Sequence, residues 1–377
     1  MSDYRSSLMY VVTEDWYFCS HRLCLAKAAI AEGYDVSVVT QVKSHGKTIE
    51  SAGIKLIPLT FRRSGCNPFS DIKTIWSLFK IYRKEQPALL HHVSLKPVLY
   101  GTIAAQLAHV PTVINAMTGL GYVFTSKDIF ASAIKLIIQP VLKCILGFKN
   151  TCSIFQNADD KMLLEGAIKE INKKSIIIRG SGVESNIFVP VENYIYPPKV
   201  VLASRILRDK GVHEFLKAAR ILKEEHVDAK FILVGRIDTE NHSAIEEKII
   251  QDCQQEGIIE WWGHRNNIFE ILQKSTIACL PSYREGMPKF LLEAASCGLP
   301  IVTTDVPGCK EIVLHNKNGF LVPEKNPIAL AEAIKILIND EKLRARFGRE
   351  GRKMVEKNFS SKIINKQTID FYNTLLT

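Results

Sequence analysis

Short apolar runs recur along this chain at intervals that leave room for one helix between them, and this alternation limits the open folds more than any other feature. Leu8–Thr13 reads as a strand, His21–Glu32 as a helix and Gly33–Thr40 as a second strand, together a βαβ unit. Further strands are expected at Ile54–Leu59, Leu89–His92, Thr112–Asn115, Ser153–Phe155 and Ile176–Arg179, with helical stretches between them. Strands alternating with helices pair in parallel through right-handed crossovers. The expected class is α/β, with a doubly wound, Rossmann-like sheet.

The alternation breaks once. Pro190, Pro197 and Pro198 flank a tyrosine-containing stretch that suits neither a helix nor a central strand. It then resumes with strand Lys199–Ser204, helix Val212–His226, strand Lys230–Val234, helix Ser243–Gln255, strand Ile258–Trp262, helix Asn267–Lys274 and strand Thr276–Leu280. A chain of 377 residues exceeds one ordinary core. We therefore expect two Rossmann-like doubly wound domains, 1–190 and 191–359, facing across a cleft, with a C-terminal helix at 360–377 packing back on the first.

Composition narrows the partners. Hydrophobic residues make up 46% and charged residues 23%, a globular balance. The nine cysteines include no CxxC pair and mostly fall in apolar stretches, which argues against a zinc site and for a reducing cytoplasm. The N-terminal residues run straight into a strand without the longer apolar region of an export signal, so no export is expected. Of the net charge of +10, residues 1–190 carry +8, with 22 Lys/Arg against 14 Asp/Glu, and residues 51–149 hold 12 basic side chains against three acidic ones. That bias suits an anionic lipid surface or a phosphate-bearing substrate. Nucleic acid is not expected, because zinc-finger spacing, an aromatic RNA-binding signature and a compact basic helix are all missing. Ile129–Phe148 is apolar but interrupted by Lys135, Gln139, Pro140 and Lys143, too broken to span a bilayer. It reads equally as an amphipathic helix on a membrane surface and as a packed helix.

Two segments carry the chemistry. In Leu280–Pro300 a strand ends at Leu280, Pro288 suits a helix's first turn, and Gly298 followed by Pro300 ends that helix. Glu285 then lies in the loop entering the helix and Glu293 about one and a half turns inside it, at the sheet edge where open α/β folds bind ligands. The helix's first turn, in the stretch Gly286-Met287-Pro288-Lys289-Phe290, offers free N–H groups to hydroxyl or phosphate oxygens. Two carboxylates, each able to accept two hydroxyl hydrogen bonds, suit a ribose or a hexose. In Ala203–Gly211 a strand end places Arg205, and a tight loop closed by Gly211 places Lys210. A planar fork beside a mobile point charge can neutralise a leaving diphosphate. Glu285 and Glu293 also fit an acid–base pair of the glycosidase kind, but the adjacent phosphate clamp would then be idle.

At these residues the sequence resembles family 4 glycosyltransferases of the two-domain GT-B architecture. Glu285 and Glu293 match that family's E-x7-E motif, Arg205 with Lys210-Gly211 its diphosphate-binding pair, and Phe231-Ile232-Leu233-Val234-Gly235 its second-domain strand and turn. Ile178–Val183 and Phe188-Val189-Pro190 are similar to its interdomain approach. The resemblance implies a retaining hexosyltransferase that takes a hexose or N-acetylhexosamine from a nucleotide-sugar, UDP-linked, with no metal and no further cofactor. It implies Arg205, Lys210 and Glu285 as the catalytic set, Glu293 on the ribose, and Gly286, Met287, Pro288, Lys289, Phe290 and Gly235 also at the donor. Asn67-Pro68-Phe69, His92–Lys96, Gly119-Leu120-Gly121 and Val306–Cys309 look more like bacterial enzymes that extend undecaprenyl-diphosphate-linked saccharides. The implied acceptor is thus a lipid-linked glycan at the cytoplasmic face of the inner membrane. A UDP-sugar 2-epimerase of the same architecture and a non-catalytic membrane-associated partner in glycan assembly stand as alternatives.

The acceptor would lie on the first domain. Glu14–Arg22 reads as the loop after the first strand, with His21 as a candidate acceptor or base residue. Loops after later strands add His92, Lys96, Thr118 and Gly119 as acceptor-side candidates.

Overall fold

The computed structural model describes residues 6–61, 68–119, 139–166, 174–190, 195–239 and 241–377. They form two compact units, Met1–Ser181 with Ile363–Thr377 and Gly182–Lys362. The division comes after Ser181, upstream of the expected boundary at 190, because the intervening segment is tied to the second unit. Val183 N–H donates to Phe359 O at 3.0 Å, Ser361 N–H donates to Val183 O at 2.8 Å, and Arg352 donates to the carbonyls of Ser185 at 2.8 Å and Phe188 at 2.5 Å.

The first unit is built on seven parallel strands: β1 (Ser7–Glu14), β2 (Asp35–Gln41), β3 (Lys55–Pro58), β4 (Leu89–Val93), β5 (Thr112–Met117), β6 (Thr151–Phe155) and β7 (Ser175–Ile177). Their order is β3-β2-β1-β4-β5-β6-β7, so the winding reverses between β1 and β4. β4 is buried along its whole length and β1 along most of it, as expected of strands covered on both faces. The final helix, Ser361–Leu376, belongs to this unit: Tyr372 Oη lies 3.2 Å from Tyr10 Oη and 2.5 Å from His91 Nδ1, and Tyr34 Oη donates to Asn373 Oδ1 at 2.6 Å.

The second unit repeats the plan with six parallel strands, β8 (Lys199–Ala203), β9 (Lys230–Val234), β10 (Glu260–Trp261), β11 (Ile277–Leu280), β12 (Ile301–Thr304) and β13 (Gly319–Val322), in the order β10-β9-β8-β11-β12-β13. Here the reversal lies between β8 and β11, which pair directly.

Two sequence expectations change here. The segment Glu14–Arg22 is helical rather than a loop: one helix runs Asp15–His21 and another Leu23–Ala31, with the break at Arg22. Asp15 fixes the early start, since its buried carboxylate accepts the N–H groups of Trp16, Lys43, Ser44 and His45 at 2.7–2.8 Å. The helix expected over Ser243–Gln255 begins at Glu247, because Ser243 and Ala244 pair with Leu207 and Arg208 instead. Within Ile129–Phe148, residues 129–138 lie outside the described residues, as do Asn67, Leu120 and Gly121. Residues 139–146 form a packed helix whose Leu142, Ile145 and Leu146 are buried with Val98, Leu99, Met117 and Phe155. Among the described residues no helix is long and apolar enough to cross a membrane.

Candidate functional site

Strand order in the second unit decides which loops meet. β9, β8, β11 and β12 are consecutive neighbours and all parallel, so their C-terminal ends open side by side. This brings together Gly235 after β9, Arg205–Gly211 after β8, Pro281–Pro288 after β11 and Asp305–Gly308 after β12. Hydrogen bonds stitch the loops to one another: Ile206 N–H to Arg236 O at 3.0 Å, Tyr283 N–H to Asp209 O at 2.9 Å, Glu285 N–H to Pro307 O at 3.2 Å, and Thr304 Oγ1 to Ser282 O.

Two glycines permit this approach. Gly308 has φ +80°, and a Cβ there would sit 2.6 Å from Glu285 O. Gly235 has φ +150°, and its missing side chain leaves room for Ser204 O. Gly235 thus seats the Arg205 loop against β9, a placement that gives the glycine of the strand-and-turn pattern a packing reason.

On this scaffold Lys210 Nζ lies 2.5 Å from Glu285 Oε1, and the same oxygen accepts Ser282 Oγ at 2.7 Å. Arg205 Nη1 donates to Asp238 Oδ2 at 2.8 Å, and Asp238 is buried. Each cation is therefore held by a carboxylate, and an anion arriving there would compete with that carboxylate for the same N–H groups. Neither Asp238 nor Ser282 was singled out in the sequence. Asp238 stands three residues past Gly235, in a loop whose place at the sheet edge was legible.

The helix after β11 spans Lys289–Ser296, and Pro288 is its N-cap in extended conformation rather than a first-turn residue. Glu293 is accordingly closer to the N-terminus than the expected turn and a half. It is 6% exposed, with Lys289 Nζ at 3.1 Å from Oε1. Burial pushes its carboxyl above the usual carboxylate range, and the Lys289 charge and hydrogen bond work against that rise. A hydroxyl pair arriving at this carboxylate would supply hydrogen bonds that solvent barely provides there. Gly286 and Phe290 are buried, while Met287 packs on the core of the unit. Beneath Glu285, burial and the nearby carboxylate push the Cys309 thiol up to about 12, so it is a neutral filler there.

The acceptor-side candidates do not form one cluster. His92 is fully buried: Nε2 lies 3.1 Å from Tyr82 Oη, and Nδ1 lies 3.0 Å from Asn115 Oδ1. Burial lowers its pKa to about 4, against the raising effect of the Asn115 hydrogen bond. His92 therefore belongs to the core beside Gly101, whose absent Cβ would lie 2.5 Å from Nε2, and is not a loop residue. Thr118 Oγ1 lies 3.2 Å from Ser94 Oγ, which joins the ends of the adjacent strands β5 and β4. Lys96 and Gly119 are partly exposed at those same ends. His21 stacks flat on Tyr17, with centroids 4.2 Å apart, at the end of the helix Asp15–His21. Among the described residues no group of three or more His, Cys, Asp or Glu is placed to hold a metal ion.

Comparison with known proteins finds matches along most of the chain. Residues 187–354 match the family described as "Glycosyl transferases group 1", and residues 7–150 match "Glycosyl transferase 4-like". Among curated proteins, the chain is 29% identical over 336 residues to the N,N'-diacetylbacillosaminyl-diphospho-undecaprenol alpha-1,3-N-acetylgalactosaminyltransferase of Campylobacter jejuni, covering 86% of this chain and 87% of that one. It is 28% identical over 310 residues to the UDP-Gal:alpha-D-GlcNAc-diphosphoundecaprenol alpha-1,3-galactosyltransferase of Escherichia coli, covering 78% of this chain and 75% of that one. Among solved structures, HepE of Anabaena in complex with UDP and glucose superimposes with a TM-score of 0.79 at 16% identity, over 98% of this chain and 100% of that one.

Proposed function

With a glycosyl transferase 4-like first domain and a group 1 second domain, the chain is a glycosyltransferase of the GT-B fold, and we propose that it moves a hexose or N-acetylhexosamine from a UDP-sugar to a lipid-linked saccharide. The observation that carries the donor half is that the loops after the adjacent strands β8 and β11 lie side by side, with Lys210 paired to Glu285 and Arg205 held by Asp238. Arg205 and Lys210 would hold the diphosphate as charge develops on it, Glu285 the sugar hydroxyls and Glu293 the ribose. Two fixed cations would do at the leaving group what a metal ion does elsewhere. The acceptor hydroxyl would attack the face from which the diphosphate leaves and pass its proton to a donor phosphate oxygen, which retains the anomeric configuration.

The lipid-linked acceptor rests on the activities of the Campylobacter and Escherichia relatives, both of which act on undecaprenol-linked saccharides. The first unit supports it independently, since the helix Pro68–Glu85 exposes Phe69, Ile72 and Trp76 beside Lys73 and Lys80, with Lys80 Nζ 5.7 Å from the Trp76 ring centroid. Exposed aliphatic and aromatic side chains edged by lysines suit the headgroup region of a membrane. We place the enzyme on the cytoplasmic face of such a membrane. Incubation with labelled UDP-sugars and undecaprenyl-diphosphate-linked saccharide should carry label into the lipid fraction. Absence of transfer across a broad donor panel refutes the reading, and an isomerised UDP-sugar formed without acceptor would establish the epimerase instead.

A further inference from the structure

Arg22 is 6% exposed, its Nε is fully buried, and among the described residues no carboxylate, carbonyl or hydroxyl meets its guanidinium. The contrast with Asp15, seven residues earlier, is sharp: that buried charge is met by four N–H groups. Nε is thus desolvated without a hydrogen bond, a cost that an arriving acceptor would relieve, while the terminal nitrogens keep the small solvent contact through which one could reach them.

A second group nearby is in the same condition. His91, on β4, has Nδ1 2.5 Å from Tyr372 Oη, which in turn lies 3.2 Å from Tyr10 Oη, while its Nε2 is buried with no partner. When Tyr10 donates to Tyr372 and Tyr372 to Nδ1, the ring proton sits on Nε2, so Nε2 and the Arg22 guanidinium are both unspent donors. Contacts link the two groups: Arg22 N–H donates to Phe18 O at 2.8 Å, the Phe18 ring lies 5.7 Å from that of Tyr10, and the Tyr10 ring lies 5.2 Å from that of His91. His91 is held neutral, first by burial and then by the Arg22 charge. Donors of this kind, one of them permanently cationic, match an anion and offer nothing to a cation or a metal.

We propose that Arg22 and His91 form an anion site in the first unit that receives a diphosphate. Which diphosphate rests on the transferase reading, since that reaction presents two: the one in the nucleotide-sugar and the one that joins the acceptor glycan to its lipid. The site itself does not depend on that reading.

Titration of the full-length chain with inorganic pyrophosphate, in a Lys210→Ala background that weakens the second-unit clamp, tests the site by calorimetry. Arg22→Met should weaken pyrophosphate binding ~10-fold or more, Arg22→Lys should recover part of it, and His91→Phe should weaken it less. Because Arg22→Met removes an unpaired buried charge, its thermal midpoint should equal or exceed that of the parent. Unchanged pyrophosphate affinity overturns the proposal, and so does a loss of affinity accompanied by a lower midpoint, the signature of a structural arginine. With Lys210 restored, a higher KM for the UDP-sugar alone assigns the donor diphosphate, and a higher KM for the lipid-linked acceptor alone assigns the acceptor's; no change in either overturns a substrate role. If the wild-type chain transfers no sugar, the transferase reading fails while the pyrophosphate titration still decides the site.

Discussion

At Asp15 burial works to raise the pKa, while the N–H groups of His45, Lys43, Ser44 and Trp16 hold it below the usual carboxylate value. Its folded pKa is thus lower than its unfolded one, so its stabilising contribution is complete above about pH 4 and is lost as pH falls through the folded value. Asp15→Asn should cost about 2 kcal/mol at pH 7 and flatten the acid side of the stability profile, as read from urea melts at pH 7 and pH 3. Under the proposed reading Lys210→Ala removes a cation from the leaving group, and transfer should fall ~10²–10³-fold with an unchanged far-ultraviolet spectrum. Arg205, Lys210, Glu285 and Glu293 stand out as candidates because charged side chains fall at fixed spacing just past predicted strand ends. Asp238 does not, because its pairing with Arg205 follows from the adjacency of β8 and β9, and nothing in the spacing of 33 residues records it. His92 misled for a similar reason: its partners Tyr82, Thr102 and Asn115 come from three other elements, so a polar pair at a strand end looked like a loop.

Strands were the most legible elements. Lys230–Val234 falls where the apolar run places it, and most others shift by one or two residues, because a strand covered on both faces leaves a continuous apolar trace. Helix starts were less legible, since they hang on contacts such as those of Asp15 and Ser243 with distant backbone. Among turns, Gly308 ties the loop after β12 to that of Glu285. Gly308→Ala would force both a positive φ and a collision with Glu285 O, and should cost about 1–3 kcal/mol while displacing Glu285, measurable as lower transfer at saturating acceptor. On the helix Pro68–Glu85, Trp76→Glu replaces an exposed aromatic by an acid without touching the core. It should reduce flotation with vesicles containing anionic lipid several-fold and leave the thermal midpoint unchanged, since the headgroup attraction and the inserted ring are lost together.

For the whole molecule, the doubling of the α/β plan could be read from the resumption of alternation after the proline-rich stretch, because each half repeats enough apolar runs to close its own sheet. The return of the last helix to the first unit rests on single side chains, Tyr372 against Tyr10 and His91, and Asn373 against Tyr34. Ending the chain after Ser360 would uncover Tyr10 and His91 and leave their polar atoms unmet. We expect the shortened chain to lose the cooperative thermal transition of the first unit while that of the second persists, resolved by calorimetry as one peak in place of two. The second unit is inserted between Ser181 and Ile363, and its own first and last residues run side by side, with Val183 bridged to Ser360 and a Cβ on Gly182 only 2.7 Å from Ser361 Cα. A segment whose ends meet can be excised, closed on itself by a short linker, or exchanged for that of a relative without rethreading the rest. Under the proposed assignment of the donor to this unit, exchanging residues 182–362 for a relative's segment, at two junctions that lie side by side, would change the donor and leave the rest of the chain in place.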